Sequence, residues 1–340
     1  VTVLIDPPAW PAHGTLFSHL VSDESLYELR LFARAAGVPD RALDLDHYDV
    51  PARRYDALVA AGAVPVDGRE LARRLGGSVV RVSGAERGHA ARDSLGARWS
   101  ALRPGEPGCP DVGPTPDGSS GSAVSPEAWA AVGESLLDRW SEPHRTYHTR
   151  LHLAQSLDAL DLLLDDLAAA GTPVEPATAW TARVALWFHD AVHDGEAVRD
   201  EERSAELART ALSAIDPGDP VHPGDAPASG SLVEEVARLV LVTTAHDPAP
   251  GDLAGALVSD ADLAVLGAEP PAYARYAQQV RAEYADVPEL RFRLGRAAVL
   301  TQLLAGRGLF RTVPGAARWN ERATANLRAE RRSLTARPPR

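Results

Sequence analysis

Four dispersed residues carry the clearest chemical signal in this chain: His148, the adjacent pair His189 and Asp190, and Asp260. Two imidazoles and two carboxylates can hold one divalent cation and orient a bound water. A His-Asp dipeptide alone says little, but each residue lies in an apolar, helix-like segment: RTYHTRLH, ALWFHDAVHD and LVSDADLAVLG. A charged group in such a segment needs a partner that offsets its burial. The bland alternative is a set of ordinary capping or salt-bridged residues, with Asp190 paired to Arg183 or Arg203.

Metal-assisted hydrolysis fits this set, because water on a divalent ion becomes a nucleophile and no covalent attack is required. Asp190 is also the candidate acceptor of the water's proton. Arg145, three residues before His148, is the candidate clamp for a phosphate, or else a helix-surface arginine. His246 closes LVLVTTAH, where a helix C-terminus favours the protonated imidazole. It can contact phosphate or complete a second metal position. His152, His193 and Glu202 are possible additional ligands. Glu201 and Glu202, in RDEERSAELA, either relay protons and fix a histidine or are plain acids at a helix N-terminus. Asp262 lies on another helical face from Asp260 and reads as a local cap. His222 sits in the loop PGDPVHPGDAP, unsuited to preorganisation, so one ion is expected. The oxygen donors favour Mn or Mg, with Fe and Zn as alternatives. Tyr273, Tyr276 and Tyr284 either flank a nucleoside or pack a core.

The elements that must position these residues are helical. In YHTRLHLAQSLDALDLLLDDLAAAG, Leu153, Leu157, Leu160, Leu164 and Leu167 follow steps of four and three. That stripe centres roughly 140° around the helix from His148, while His152 lies about 40° from it. The histidines therefore form their own face at the stripe's edge. TARVALWFHDAVHDG, SLVEEVARLVLVTTAH, DLAGALVSDADLAVLG and YARYAQQVRAEYADV continue the helical period, and no strand pattern appears.

Upstream the pattern changes. ALRPGEPGCPDVGPTPDGSSGSAVSP has eleven Gly or Pro in twenty-six residues and reads as a linker. Before it, TVLID, ALDLD, VPVD and VVRVS alternate with helical SLYELRLFARAAG, RYDALVAAGA and GRELARRLG, which indicates a small α/β layer with a partly parallel sheet. Ser22 or Asp23 is the expected cap of the first helix. The reading is thus a small α/β domain over 1–84, a linker over 85–126 and an all-α domain over 127–335. The helical part is expected to act alone, with the first domain tuning substrate or assembly. Asp6, His13, His19, Asp23, Asp44, Asp46, His47 and Asp49 crowd that first domain with acid and imidazole. They either hold a small polar ligand or metal at strand ends or serve turns and caps.

Bulk composition narrows the partners. Thirty-five basic and 47 acidic residues give a net charge of −12, which disfavours a long polyanion such as nucleic acid. The lone Cys109 lies in the linker without a neighbour that would activate it, and it excludes an intrachain disulfide. VTVLIDPPAW lacks a basic region before an apolar run, so a secretory signal is not expected, and the expected compartment is cytoplasmic. The expected partner is a small phosphorylated molecule, with a homo-oligomer left open.

EPHRTYH, WFHDAVHD, the acidic DEERSAELA, SDADLAVLG and a Tyr- and Arg-rich tail ending in ERATANL occur in that order. Through them, residues 126–330 resemble the HD-domain superfamily of metal-dependent phosphohydrolases, in its branch of small bacterial members. The resemblance implies an all-helical fold, a metal held by His148, His189, Asp190 and Asp260, and hydrolysis of a small phosphomonoester or nucleotide. Two other outcomes stay open: a metal-binding regulatory or ligand-binding protein without turnover, and an HD-fold enzyme acting on a non-phosphate substrate. VLIDPPAWPAHG, FSHLVSD, LDLDHYDVP and AAGAVPVDGRELARRL resemble a small DUF4031-like domain family, which implies no activity.

Overall fold

The computed structural model describes residues 2–106, 109, 124–196, 198–215, 232–306 and 308–336. Strand β1 (Val3–Ile5) stops at Pro7 and Pro8, which have no N–H to continue a ladder. β2 (Trp10–Ala12) and β3 (Thr15–Ser22) form a hairpin that turns at His13 and Gly14, with φ of 47° and 73°. Helix α1 (Leu26–Ala35) is capped by Ser25, whose side chain accepts the Glu28 N–H. The cap is therefore Ser25 rather than Ser22 or Asp23; Ser22 instead accepts the N–H groups of Glu24 and Ser25 just ahead of it. β4 (Leu43–Asp44), β5 (His47–Pro51), α2 (Tyr55–Ala60), β6 (Val64–Pro65) and α3 (Gly68–Gly76) complete the layer.

The sheet runs β4-β5-β3-β1-β6, with β2 on β3. Only β1 and β6 pair in parallel. The long antiparallel pair β3–β5 at its centre places His19 opposite Asp49 and Val21 opposite His47. VVRVS is not a strand. Its Val80 belongs to the core of the sheet domain and its Val82 to the core of the helices. Its backbone is used elsewhere: the Val82 N–H donates to Asp46 at 2.6 Å, and the Arg81 carbonyl accepts from Arg275 at 2.7 Å.

The rest of the described chain is helical. α4 (Gly84–His89) and α5 (Arg92–Ser100) occupy residues that composition placed in the linker. They are held there by packing: Leu95 and Trp99 enter the helical core. The Pro- and Gly-dense remainder of that stretch lies mostly outside the described residues. α6 (Pro126–Arg139), α7 (Arg150–Ala169), α8 (Pro176–Phe188) and α9 (Arg199–Ser213) follow. Then come α10 (Leu232–Val242), α11 (Leu253–Leu263), α12 (Pro270–Glu283), α13 (Glu289–Ala305) and α14 (Val313–Thr335). Leu153, Leu157 and Leu160 are buried as their stripe requires. Among the described residues no helix is long and apolar enough to cross a membrane.

Trp99 and Trp129 lock α5 onto α6. Their rings stack at 4.3 Å with planes 7° apart. Each indole N–H donates to the other residue's carbonyl, at 2.7 and 2.8 Å, so neither polar edge is left unpaired.

The two domains share an interface. Arg30 of α1 is fully buried and donates to the carbonyls of His144 and Pro143 and to the Thr146 hydroxyl. Ala282 of α12 sits in the core of the sheet domain, and Arg281 lies over the Tyr27 ring at 3.8 Å. Arg34 pairs with Asp286 at 2.8 Å. A chain starting at residue 127 would lose Trp99 from its own core and Arg30 from the 143–146 turn. The packing therefore argues against the expected independence of 127–335.

Gly133 of α6 lies under Trp99, and a Cβ there would meet the indole at 2.2 Å, whereas a Cβ on Gly96 of α5 meets nothing within 4 Å. Gly133→Ala should destabilise by about 1–3 kcal/mol through overpacking. Gly96→Ala should stabilise by about 0.5–1 kcal/mol through helix propensity. Thermal or urea unfolding of the two variants beside wild type measures both signs.

Candidate metal centre

The helical domain gathers its imidazoles and carboxylates where helices begin and end. His148 precedes α7 and His152 occupies its first turn. α8 terminates at Phe188, so His189 and Asp190 lie just past its end. His189 keeps helical backbone angles there, φ −54° and ψ −41°, yet its Nε2 stands 3.1 Å from Asp190 Oδ2. His246 follows α10 at a left-handed φ of 51°. Asp262 lies near the end of α11 and Glu283 ends α12.

Asp190 Oδ2 is the hub. Besides His189, it faces His152 Nε2 at 3.7 Å and His148 Nε2 at 3.8 Å. Asp262 Oδ1 lies 3.0 Å from His152 Nε2 and 3.5 Å from His189 Nε2, and its Oδ2 lies 3.5 Å from His246 Nε2. The Nε2 atoms of His152 and His189 are 3.1 Å apart.

Neighbouring acceptors fix the tautomers. His189 Nδ1 donates to the Leu186 carbonyl at 2.8 Å, and His148 Nδ1 donates to Glu283 Oε1 at 2.5 Å. In their neutral forms both residues thus present a bare Nε2 lone pair toward carboxylate oxygen. Buried acceptors facing one another require a proton or a cation between them. The charge states agree. Burial raises the Asp190 carboxyl, but His189 and His148 outweigh it and hold Asp190 well below the usual range. Burial lowers His189, but Asp190 and Asp262 pull it well above the usual imidazole value. Without an ion that positive charge is a proton on His189; by geometry the donors of His152, His189 and Asp190 also suit a divalent cation.

Glu283 supports one wall. Its Oε2 accepts the backbone N–H groups of Thr146, Tyr147 and His148 at 2.7, 2.9 and 3.1 Å. Its Oε1 also takes His193 Nε2 at 3.1 Å, so His148, His193 and Glu283 form a second group beside the hub. Trp140 backs the site, with its ring 5.3 Å from that of His189.

Several expected roles change. Asp260 does not face the histidines. It is buried on the opposite side of α11, where its carboxylate accepts the Arg311 N–H at 2.7 Å and the Thr312 N–H and hydroxyl at 2.8 and 2.7 Å. It anchors the start of α14, and the acid that reaches the centre is Asp262, which sequence reading took for a cap. Arg145 is not free to clamp a phosphate. Its buried guanidinium is bound by Glu142 and by the carbonyls of His148, Asp190 and Ala191, so it ties the two ligand-bearing turns together. Glu201 and Glu202 form no hydrogen bond or ion pair with the cluster among the described residues, and Glu202 is exposed. Their helix-terminal position is set by α9. The alternative partners of Asp190 are engaged elsewhere, Arg183 with Asp161 and Arg203 with Asp194 and Glu196. His222 lies outside the described residues. The Cys109 thiol donates to the Ala101 carbonyl at 3.3 Å, and burial with Glu106 nearby pushes it up.

Residues 3–78 match the family described as a protein of unknown function, DUF4031. No curated protein and no solved structure matches the chain. The molecule is thus a DUF4031-like domain joined to a distinct all-α domain that carries candidate metal-binding clusters.

The two aspartates of α11 should separate cleanly by mutation. Asp262→Asn should lower metal content with little change in melting temperature. Asp260→Asn sets an amide NH2 against backbone donors, and should cost about 1–3 kcal/mol of stability while metal content per folded molecule holds. Elemental analysis and calorimetry on the same samples distinguish them; metal loss in Asp260→Asn alone would reverse the assignment.

Proposed function

We propose that the helical domain hydrolyses a small phosphate ester with the help of a divalent metal, as its resemblance to the HD-domain superfamily implies. The observation that carries this reading is the position of His148. Its Nε2 turns toward Asp190, and its ring also borders a cavity of about 630 Å³ walled by Tyr147, Tyr276, Tyr284 and Phe292. A metal-ready cluster next to an aromatic cavity is what a nucleotide or similar phosphomonoester needs.

Held by His152, His189, Asp190 and Asp262, with His148 and His246 beside them, an ion would supply Lewis acidity and a water acidified toward neutral pH. The remaining work falls to the chain. Leu186 and Glu283 fix the ring orientations, and Arg145 holds the backbone of His148 and Asp190 in place. Although burial raises its carboxyl, His189 and His148 keep Asp190 ionised, so it would serve that ion as a ligand. Arg296 is paired with Glu330 and the Tyr276 hydroxyl, so it stiffens the wall rather than meeting substrate. Arg291 lines the same cavity and forms no hydrogen bond or ion pair among the described residues. It is the cation available to a phosphate. With up to four imidazoles around Asp190 and Asp262, Fe, Zn or Mn suits the donors better than Mg, a shift from the oxygen-led expectation.

Full-length protein screened against phosphorylated metabolites tests the reading. His189→Ala should abolish both metal binding and turnover. Arg291→Ala should keep the metal and lose a charge-assisted contact of about 1.5–3 kcal/mol, roughly a ten- to hundredfold fall in kcat/KM. Unchanged kcat/KM would remove Arg291 from the site, and full turnover by a metal-free His189→Ala would sink the mechanism.

A further inference from the structure

We propose that the sheet domain holds a second, independent site for a transition-metal ion, formed by His19 Nε2, His47 Nε2 and Asp49 on the β3–β5 ladder. The register sets it up. His19 lies directly opposite Asp49, and His47 sits two residues earlier on the same strand as Asp49, so all three side chains share one face. Asp49 Oδ1 lies 3.8 Å from His19 Nε2 and 3.5 Å from His47 Nε2. Ligands of one tetrahedral ion at about 2.1 Å stand roughly 3.4 Å apart, so small rotamer changes close the set.

The rings are aimed from behind by two buried carboxylates. His19 Nδ1 donates to Asp6 Oδ2 at 3.0 Å, and His47 Nδ1 donates to Asp46 Oδ1 at 2.8 Å. Asp6 also accepts the His19 backbone N–H and the Trp10 indole N–H. Asp46 also takes the Val82 N–H, Arg81 and Arg87. Arg87 approaches His47 Nδ1 as well, at 3.3 Å, but the closer Asp46 is the acceptor that fixes the tautomer. This is the carboxylate–histidine support that metal-ligating imidazoles use, present twice. Arginine-paired Asp46 and buried Asp6 are therefore not ligands. Burial lowers His47, but Asp46 and Asp49 outweigh it and raise the ring to about 9, so an ion would displace that proton; the rings, once neutral, turn Nε2 lone pairs toward a carboxylate that is half exposed to solvent.

Two imidazoles and one carboxylate suit Zn, Fe, Co or Ni rather than Mg or Ca, and leave positions open toward solvent. The exposed Trp10 lies beside the site, its ring 5.2 Å from that of His19. This site shares no residue with the helical centre and does not depend on the function proposed for it.

Metal binding by the full chain tests the assignment. Chelator-stripped protein is titrated with Zn²⁺ against a chromophoric chelator, with Mg²⁺ present at millimolar concentration. Asp49→Ala and His19→Gln should each bind one equivalent fewer than wild type, and Asp6→Asn should weaken that equivalent about ten- to hundredfold. His189→Ala should lose a different equivalent, so its combination with Asp49→Ala loses both. Co²⁺ should quench Trp10 fluorescence in wild type and not in Asp49→Ala. Asp49 is exposed enough that its variant should fold, which circular dichroism verifies. Asp49→Ala and His19→Gln binding as much Zn²⁺ as wild type, or Mg²⁺ displacing the equivalent, would overturn the proposal.

Discussion

Within the helical domain, carboxylate oxygens of Asp190 and Asp262 are held 3.1 to 3.8 Å from the Nε2 atoms of His148 and His189, which in their neutral forms can only accept. Such an arrangement repels itself in a low-dielectric interior unless positive charge occupies the middle. The surrounding construction reads as the means of holding that repulsion in place. Arg145 staples the turns before α7 and after α8, Glu283 gathers three consecutive backbone N–H groups around His148, and Leu186 turns His189 inward. Without these restraints the acceptors would rotate apart and solvate separately.

The restraint does not stop at the domain boundary. Glu283 and Ala282 are neighbours at the end of α12, yet one braces the metal centre and the other is packed into the sheet domain's core. Arg30 reaches across from α1 to the turn that carries Thr146, two residues before His148. The sheet domain is thus part of the scaffold that sets the position of His148. The same principle recurs inside it, where Asp6 and Asp46 orient His19 and His47 from behind.

Much of this was legible in the sequence. The leucine stripe of α7, the α/β character of the first domain and its helices followed from period and composition. The misreadings share a cause, which is that local pattern does not say which face of an element meets which neighbour. Asp260 and Asp262 stand two residues apart on α11, so one must face away from the other. The choice is made by α14, whose first turn docks on Asp260. Arg145 looks like a free cation until the carbonyls of two distant turns converge on it. Glu283 has no local signature, because its partners lie 90 to 137 residues earlier. α5 was hidden beside a Pro- and Gly-rich stretch, and only the reciprocal Trp99–Trp129 contact explains its place.

Val80 and Val82 belong to different cores with only Arg81 between them. Two residues of extended chain span at most about 7 Å, so at this point the cores cannot draw apart. Arg81 is itself held from both sides, its carbonyl by Arg275 of the helical domain and its guanidinium by Asp46 of the sheet domain. Any rigid-body swing of one domain against the other must therefore leave the neighbourhood of Arg81, and with it Asp46 and His47, nearly still.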